Sequence, residues 1–301
     1  MTFRPFRARV HATQRLSPHF LRITLTGEDL RGFRPVGPVL DLRIKLIIPG
    51  SSGVLPQLDA DPDWFTTWSG LPEDERGHMR TYSVRALSTV DGQTRLVVDF
   101  ALHLGDGDTG PAARWARDAR PGDEITVIGP TAGAPAGAGV EFAPGEASDI
   151  VLLGDETAAP AIARILEDLP ATARGRALIE VPTRADVLAV DSPAGFAVSW
   201  LPRHGSEHGH ALLSRLGLAP GGEGTDDASA AQALVWETPG FSAAGEPVDV
   251  DTRGADGTYW WIAGESGMVT ALRRHLVKER GVARSQVAFM GYWKRGVAMR
   301  G

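Results

Sequence analysis

Cysteine is absent from all 301 residues. That absence excludes disulfides, thiolate zinc sites, cysteine-ligated iron–sulfur clusters and cysteine nucleophiles. Redox chemistry in this chain would have to come from an organic cofactor or a bound substrate. No long uncharged apolar run occurs, so no transmembrane helix is expected. The N-terminal stretch MTFRPFRARV is basic but lacks an apolar core behind it, and it reads as a solvated first strand rather than a secretory signal. Positive charge is not in excess: a net charge of −6 argues against general nucleic-acid binding. The expected location is the cytoplasm. The length suggests two domains, and 43% hydrophobic with 23% charged residues is the composition of a globular chain.

The first part of the chain has β patterning. In FLRITLTG, Leu21, Ile23 and Leu25 alternate with Arg22, Thr24 and Thr26. RARVHATQRLS, VLDLRIKLIIPG, MRTYSVRAL, TRLVVDFALHL and DEITVIGP read as further strands, with Asp91-Gly92 as a hairpin turn between MRTYSVRAL and TRLVVDFALHL. Six short antiparallel strands with this punctuation predict a six-stranded β-barrel over 1–131. Residues 59–77 read as an exposed insertion, and 111–119 as the one convincing helix of this part, with Pro111 in its first turn. The Ala/Gly/Pro-rich stretch 132–148 reads as a linker or an elaborated crossover. Beyond it, over 149–301, strand and helix alternate. Strands are expected at 149–153, 177–182, 196–202, 233–237, 259–264 and 286–291, and helices near 158–169, 209–217 and 266–280. Several of these strands are continuously apolar, as expected when both faces are covered, so a doubly wound α/β nucleotide-binding domain is predicted. The stretch 203–258 has Gly- and acid-rich segments and is expected to form long surface loops. A barrel followed by such a domain suggests a flavin held between the two, with a pyridine nucleotide on the second.

Two segments of the barrel carry candidate chemistry. In RTYS, Arg80 offers a planar fork of donors to a flavin diphosphate, Tyr82 on the same face offers a ring to the isoalloxazine, and Ser83 offers a hydroxyl or amide. An amphipathic strand with an exposed arginine is the plain alternative. In HLGDGDTGPAARWA a glycine loop opens a helix at Gly110-Pro111-Ala112-Ala113, where free amides and the helix dipole attract phosphate. His103, at a strand end, either hydrogen-bonds the cofactor or sits in a polar turn; it has no partner pattern for a metal site. LLGDETAAPAI lies where a nucleotide-binding domain has its glycine-rich turn, yet it holds one glycine and the acids Asp155 and Glu156.

DLRIKLIIP, RTYSVR, DFALHLGDGDTGPAARWA, PGDEITVIGP, LLGDETAAPAI, WWIAGES and GYWKRG follow one another along the chain. Together they resemble the siderophore-interacting proteins, flavin-dependent ferric-siderophore reductases of the ferredoxin reductase superfamily. The resemblance spans nearly the whole chain and leaves out mainly 51–78, 131–148 and 203–258. It implies FAD on the barrel, at Arg80, Tyr82, Ser83, His103, Gly110 to Ala113 and Trp115. Ala113 stands where related reductases often have serine, and Ala159 where the family usually has a larger apolar residue. The resemblance also implies that Asp155, Glu156, Thr157 and Ala158 lie where NADPH or NADH meets the flavin, with Thr157 as a good helix N-cap and Pro160 in the first turn. Gly264 and Glu265 of AGES end a strand at the carboxyl edge of the sheet, and Ser266 is expected to cap the next helix. Arg184 either meets a ribose 2′-phosphate, which would favour NADPH, or is a solvated loop residue. For an anionic ferric siderophore the candidate cations are Lys45, which matches a family lysine near the flavin, and Lys294 and Arg295 beside the aromatic Tyr292 and Trp293.

The reaction the resemblance implies follows from electron counting: a hydride carries two electrons, ferric iron accepts one, and a flavin converts between them. Ferrous iron is held less well by hard oxygen ligands, so reduction releases it. No residue is assigned to acid–base catalysis. A ferredoxin-type protein is a second candidate donor. The competing readings are a flavoprotein reductase of another acceptor, either a protein carrier or free flavin, and a non-catalytic siderophore-binding protein.

Overall fold

The computed structural model describes residues 2–102, 109–218, 236–238, 241–242 and 257–297. The described chain falls into two compact units, one up to Val140 and the other from Glu141.

The first unit is one antiparallel sheet of seven strands. They are β1 (Phe3–Ser17), β2 (Phe20–Thr26), β3 (Arg43–Ile48), β4 (His78–Ser83), β5 (Ala86–Val90), β6 (Gln93–Ala101) and β7 (Glu124–Pro130). Their spatial order is β4-β3-β7-β1-β2-β6-β5. β1 pairs with β7 through its first residues and with β2 through its last, and a register shift between Val10 and Ala12 bends it. The two edge strands, β4 and β5, follow each other directly in sequence. At the junction, the Val84 amide bonds the Leu42 carbonyl on one side of the sheet, and the Arg85 amide bonds the Val97 carbonyl on the other. A single covalent step thus joins the edges of the curled sheet. This corrects the six strands expected from the sequence. MRTYSVRAL alternates without a break, yet the backbone changes partners at Val84–Arg85 and makes two strands of it. The Asp91-Gly92 turn joins β5 to β6 with positive φ at both residues, the geometry of a type I′ hairpin.

Side chains from all these strands fill one apolar core, and helix α2 (Pro111–Asp118) buries Ala112, Ala113 and Ala116 in it. The β3–β7 segment also buries a second, smaller cluster of Ile47, Met79 and Ile128. The 59–77 insertion beside it is largely exposed, as expected. It contains a short helix, α1 (Trp64–Gly70), whose Trp68 packs on that cluster together with Leu55. The Ala/Gly/Pro-rich stretch is docked rather than loose: Gly139 bonds the Arg43 amide of the first unit, and Phe142 packs edge-on to Tyr259 in the second.

The second unit is a mixed sheet. β8 (Asp149–Gly154), β9 (Arg174–Val181), β10 (Gly195–Pro202), β13 (Thr258–Glu265) and β14 (Val287–Trp293) are parallel. The short β11 (Trp236–Thr238) and β12 (Phe241–Ser242) add an antiparallel edge. The order β10-β9-β8-β13-β14-β11-β12 reverses direction between β8 and β13. In open parallel sheets that reversal leaves a crevice at the carboxyl ends of the strands, where ligands bind. α3 (Ala159–Asp168) follows β8, and α4 (His210–Arg215) and α5 (Ser266–Arg273) cover Val151 and Leu153 on one face. The last expected helix holds α-geometry only to Arg273 and continues as a π-helical turn over Arg274–Glu279. No helix among the described residues is long and apolar enough to cross a membrane.

Candidate functional sites on the two units

In the first unit, the β3–β4 register decides which side chains share a face. Tyr82 stands opposite Ile44 and Arg80 opposite Leu46, so both lie on the side of the apolar core. Lys45 stands opposite Thr81 and Arg43 opposite Ser83, on the alternate side. Tyr82 lies 4.4 Å from Phe100 of β6, which lies 6.0 Å from Trp115 of α2, ring centroid to ring centroid. This aromatic series brings RTYS (80–83) and GPAARWA (110–116), separate segments of the unit, together. Burial pushes the Tyr82 phenol up, against the pull of the Arg80 charge.

The guanidinium of Arg80 hydrogen-bonds the Met79 carbonyl at 2.7 Å, and no other partner occurs among the described residues. Burial holds its pKa below the usual value. Helix α2 starts as predicted: Gly110 is the N-cap with no side-chain cap, Pro111 occupies the first turn, and a Cβ at Gly110 would meet nothing within 4 Å. Beside it runs a groove of about 870 Å³, with Pro111, Arg114 and Trp115 on one wall and His78 and Leu55 on another. The His78 pKa is lowered by burial and then by the charges of Arg80 and Arg114. Arg114 in the groove, Arg80 beside His78 and the uncapped helix start suit a phosphate, and the groove, which Asp118, Asp123 and Glu124 also line, has room for an extended nucleotide. The residues present therefore fit an FAD diphosphate. On the other face, Lys45 Nζ lies 3.2 Å from Thr81 Oγ1. Burial of its ammonium and the neighbouring Arg43 lower its pKa. His103 lies outside the described residues.

In the second unit, the acids of LLGDETAAPAI face inward. Asp155 is 0% exposed and Glu156 1%. Asp155 Oδ1 accepts from the Thr157 amide at 2.8 Å and its hydroxyl at 2.6 Å, while Oδ2 accepts from the Glu265 amide at 2.7 Å and the Trp293 indole N–H at 3.0 Å. The Asp155 carbonyl accepts from the amides of Ala158 and Ala159. Thr157 is therefore not the helix cap expected of it. Its hydroxyl is turned back onto Asp155, and the N-cap of α3 is Ala158, without a side-chain bond. Pro160 does lie in the first turn of α3. Burial first, and the Glu156 charge second, push the Asp155 carboxyl up.

Glu156 is held from the other side. Both its oxygens meet the Arg203 guanidinium at 2.7 Å, and its Oε1 is 3.1 Å from His208 Nε2. Burial opposes the charge on Arg203, but Glu156, then Glu180 and Asp155, outweigh it and hold the pKa above the usual arginine value. Glu180, fully buried at the end of β9, accepts the amides of Gly209 at 2.7 Å and Leu212 at 3.0 Å and so ties down the start of α4. Burial raises its pKa against those two donors.

At the end of β13, Gly264 has φ +140°, and a Cβ there would sit 2.6 Å from the Asp155 carboxyl carbon. Glu265, not Ser266, caps α5, accepting the Met268 amide at 3.0 Å; Ser266 is the first helical residue. The second oxygen of Glu265 accepts the Arg295 amide at 3.3 Å. Asp155, Glu156, Gly264, Glu265 and Arg295 are thus one connected cluster at the carboxyl edge, on the two strands where the sheet order reverses and on their neighbour β14. Lys294 is half-buried in the same turn, whereas the Arg295 side chain is exposed beside Glu207. Arg184 stands apart. It is exposed in a short 3₁₀ turn after β9, shaped by reciprocal Thr183–Asp186 hydrogen bonds. Glu180, Arg203 and His208 were missed in the sequence. The one available signal was an acid inside the apolar strand ALIEVP.

Comparison with known proteins bears on both units. Residues 9–134 match the family described as the siderophore-interacting FAD-binding domain, and residues 147–296 match the siderophore-interacting protein family. A siderophore utilization protein from T. fusca is 30% identical and superposes with a TM-score of 0.70 over 99% of this chain and 95% of that one. Ferric vibriobactin reductase ViuB of Vibrio cholerae is 28% identical over 93% of this chain and 86% of its own length. The NADPH-dependent ferric-chelate reductase of Escherichia coli is 32% identical over 62% of this chain and 67% of its own length.

Proposed function

The chain belongs to the siderophore-interacting protein family, and from that premise we propose that it is a flavin-dependent reductase passing electrons from NADPH or NADH through FAD to ferric siderophores. The observation that carries this reading is the union of Arg80, Tyr82 and the start of α2 across the Tyr82–Phe100–Trp115 series. Arg80 and the amides of Gly110, Ala112 and Ala113 hold the diphosphate, and Tyr82, with Phe100 behind it, lines the flavin site. FAD, when bound, divides a two-electron hydride into the single electrons that ferric iron accepts. Once reduced, iron is held less tightly by hard oxygen ligands and leaves the chelate.

The residues of the second unit orient the nicotinamide at the ends of β8 and β13. Their acids are already bonded within the protein, so they shape the site and do not meet a phosphate. The exposed cation Arg184 after β9 favours a 2′-phosphate, hence NADPH. Lys45 supplies positive charge for an anionic ferric chelate, with Lys294 and Arg295 as further cations. No side chain needs to transfer a proton in the electron step. The dependence on NAD(P)H places the activity in the cytoplasm.

Anaerobic stopped-flow mixing tests the proposal. NADPH should bleach the bound flavin faster than NADH does. A ferric siderophore added next should restore the oxidised flavin as the ferric chelate band disappears. Reduced flavin that no ferric chelate reoxidises would sink the iron role, and a protein that takes up no FAD would sink the flavin role.

A further inference from the structure

The two oxygens of Asp155 have different tasks. Among the described residues, Oδ1 meets only donors from its own turn, the amide and hydroxyl of Thr157. Oδ2 meets two donors distant in sequence, the Glu265 amide at the end of β13 and the Trp293 indole at the end of β14. One carboxylate oxygen therefore joins three neighbouring strand ends. Two local irregularities make this possible. Glycine at 264 lets the carboxylate lie against the backbone, where a Cβ would stand 2.6 Å from its carbon. In the β13–β14 ladder, Gly264 faces Gly291 but Glu265 faces Trp293, so Tyr292 is an extra residue on β14. A bulge of this kind re-aims the side chain that follows, and here that side chain is Trp293. Its ring also packs edge-to-face on His208, 4.8 Å between centroids, and His208 is anchored to Glu156.

We propose that Asp155 is a positioning residue for the nicotinamide nucleotide: by holding the Trp293 indole and the Glu265 amide, it sets the C-terminal turn and governs nucleotide affinity without touching the nucleotide. This rests on the reading that NAD(P)H binds at these strand ends. Only an ionised carboxylate accepts all four donors. A carboxamide has one oxygen, so in either flip its NH₂ points at a pair of donors.

The test uses Asp155→Asn and Trp293→Phe in the full-length holoprotein, with NADP⁺ binding measured by titration calorimetry alongside flavin reduction by NADPH. Asp155→Asn is expected to weaken NADP⁺ binding about tenfold, the effect of losing an anchor hydrogen-bonded to a charge. KM for NADPH should rise by a similar factor while kcat moves far less and FAD content stays that of the wild type. Trp293→Phe keeps a ring but removes the N–H, and should shift binding in the same direction by a smaller factor. The double variant should bind no worse than Asp155→Asn alone, because both changes break one link. Wild-type affinity in both variants, or losses that multiply in the double variant, would overturn the proposal. Should Asp155→Asn fail to fold, Trp293→Phe decides: unchanged affinity refutes the proposal and weakened affinity with full FAD content supports it. A wild-type flavin that NAD(P)H does not reduce would instead refute the underlying function.

Discussion

Arg80 in the first unit and Arg203 in the second are both drawn away from solvent, but they keep different company. Arg80 meets one backbone carbonyl among the described residues, and burial lowers its pKa. Arg203 is clamped by both oxygens of Glu156, has Glu180 at 3.8 Å, and has its pKa raised. The direction of the shift reports where the counter-charge resides. Arg203 already has its anion inside the fold and serves to shape the strand ends. Arg80 has none among the described residues, and on the proposed function the FAD diphosphate would supply it. The same contrast separates Lys45, which meets only a hydroxyl among the described residues, from the acids of the second unit, which are occupied by internal donors.

Breaking the internal pair should have the largest effect. Arg203→Met strands two buried carboxylates, and removing one partner of a buried pair typically costs about 3–5 kcal/mol. Chemical denaturation should show a loss of that order, and a loss below ~1 kcal/mol would mean that water reaches Glu156 more freely than its burial implies. Arg80→Ala should act on the ligand instead. The FAD dissociation constant should rise about 10- to 100-fold, as for a lost hydrogen bond to a charged group. The FAD-free protein should unfold at an unchanged denaturant concentration, since a desolvated, under-paired cation is removed. A stability loss as large as that of Arg203→Met would erase the distinction between the two arginines.

The smallest effect sharpens the comparison through pH. The Lys45 pKa is lowered, so its charge is lost at a lower pH than for an ordinary lysine. Attraction for an anionic ferric chelate is present while Lys45 is protonated and fades as pH rises through that lowered value. KM for a trianionic chelate should therefore climb on the alkaline side, below the ordinary lysine range. In Lys45→Met it should be higher at neutral pH by a few-fold, of the order of one surface charge pair, and flat over that interval. A variant with the same KM and the same pH profile as the wild type would remove Lys45 from the chelate site.

The legible parts of this fold are those with local causes. Alternation in FLRITLTG, the Asp91-Gly92 turn and Pro111 in a first helical turn each follow from the backbone preferences of a few adjacent residues, and each is found in place. The motifs around Arg80 and Gly110 could be singled out for the same reason: a cation on a strand and a bare helix start are local features, and their proposed cofactor roles rest on the flavin reading. What escaped depends on partners distant in sequence. MRTYSVRAL is one alternating run, but its two halves pair with opposite edges of the sheet. Thr157 has the residue type of a cap, yet Asp155 two residues earlier captures its hydroxyl. Glu156, Arg203 and His208 lie up to 52 residues apart and meet only once β8 and β10 take their places in the sheet.

By itself, the sequence of this protein determined its periodicities, its turns, the absence of any thiol chemistry and the ordered motifs by which it resembles a flavin reductase, since each is a property of residue type and short spacing. Tertiary structure alone decided what the charges do. Whether an acid or a guanidinium is a ligand's partner or an internal brace depends on which opposite charge the fold brings within about 3 Å, where desolvation strengthens the pair most. That is why Asp155 and Glu156, which looked like misplaced neighbours of a phosphate, turn out to join the ends of strands.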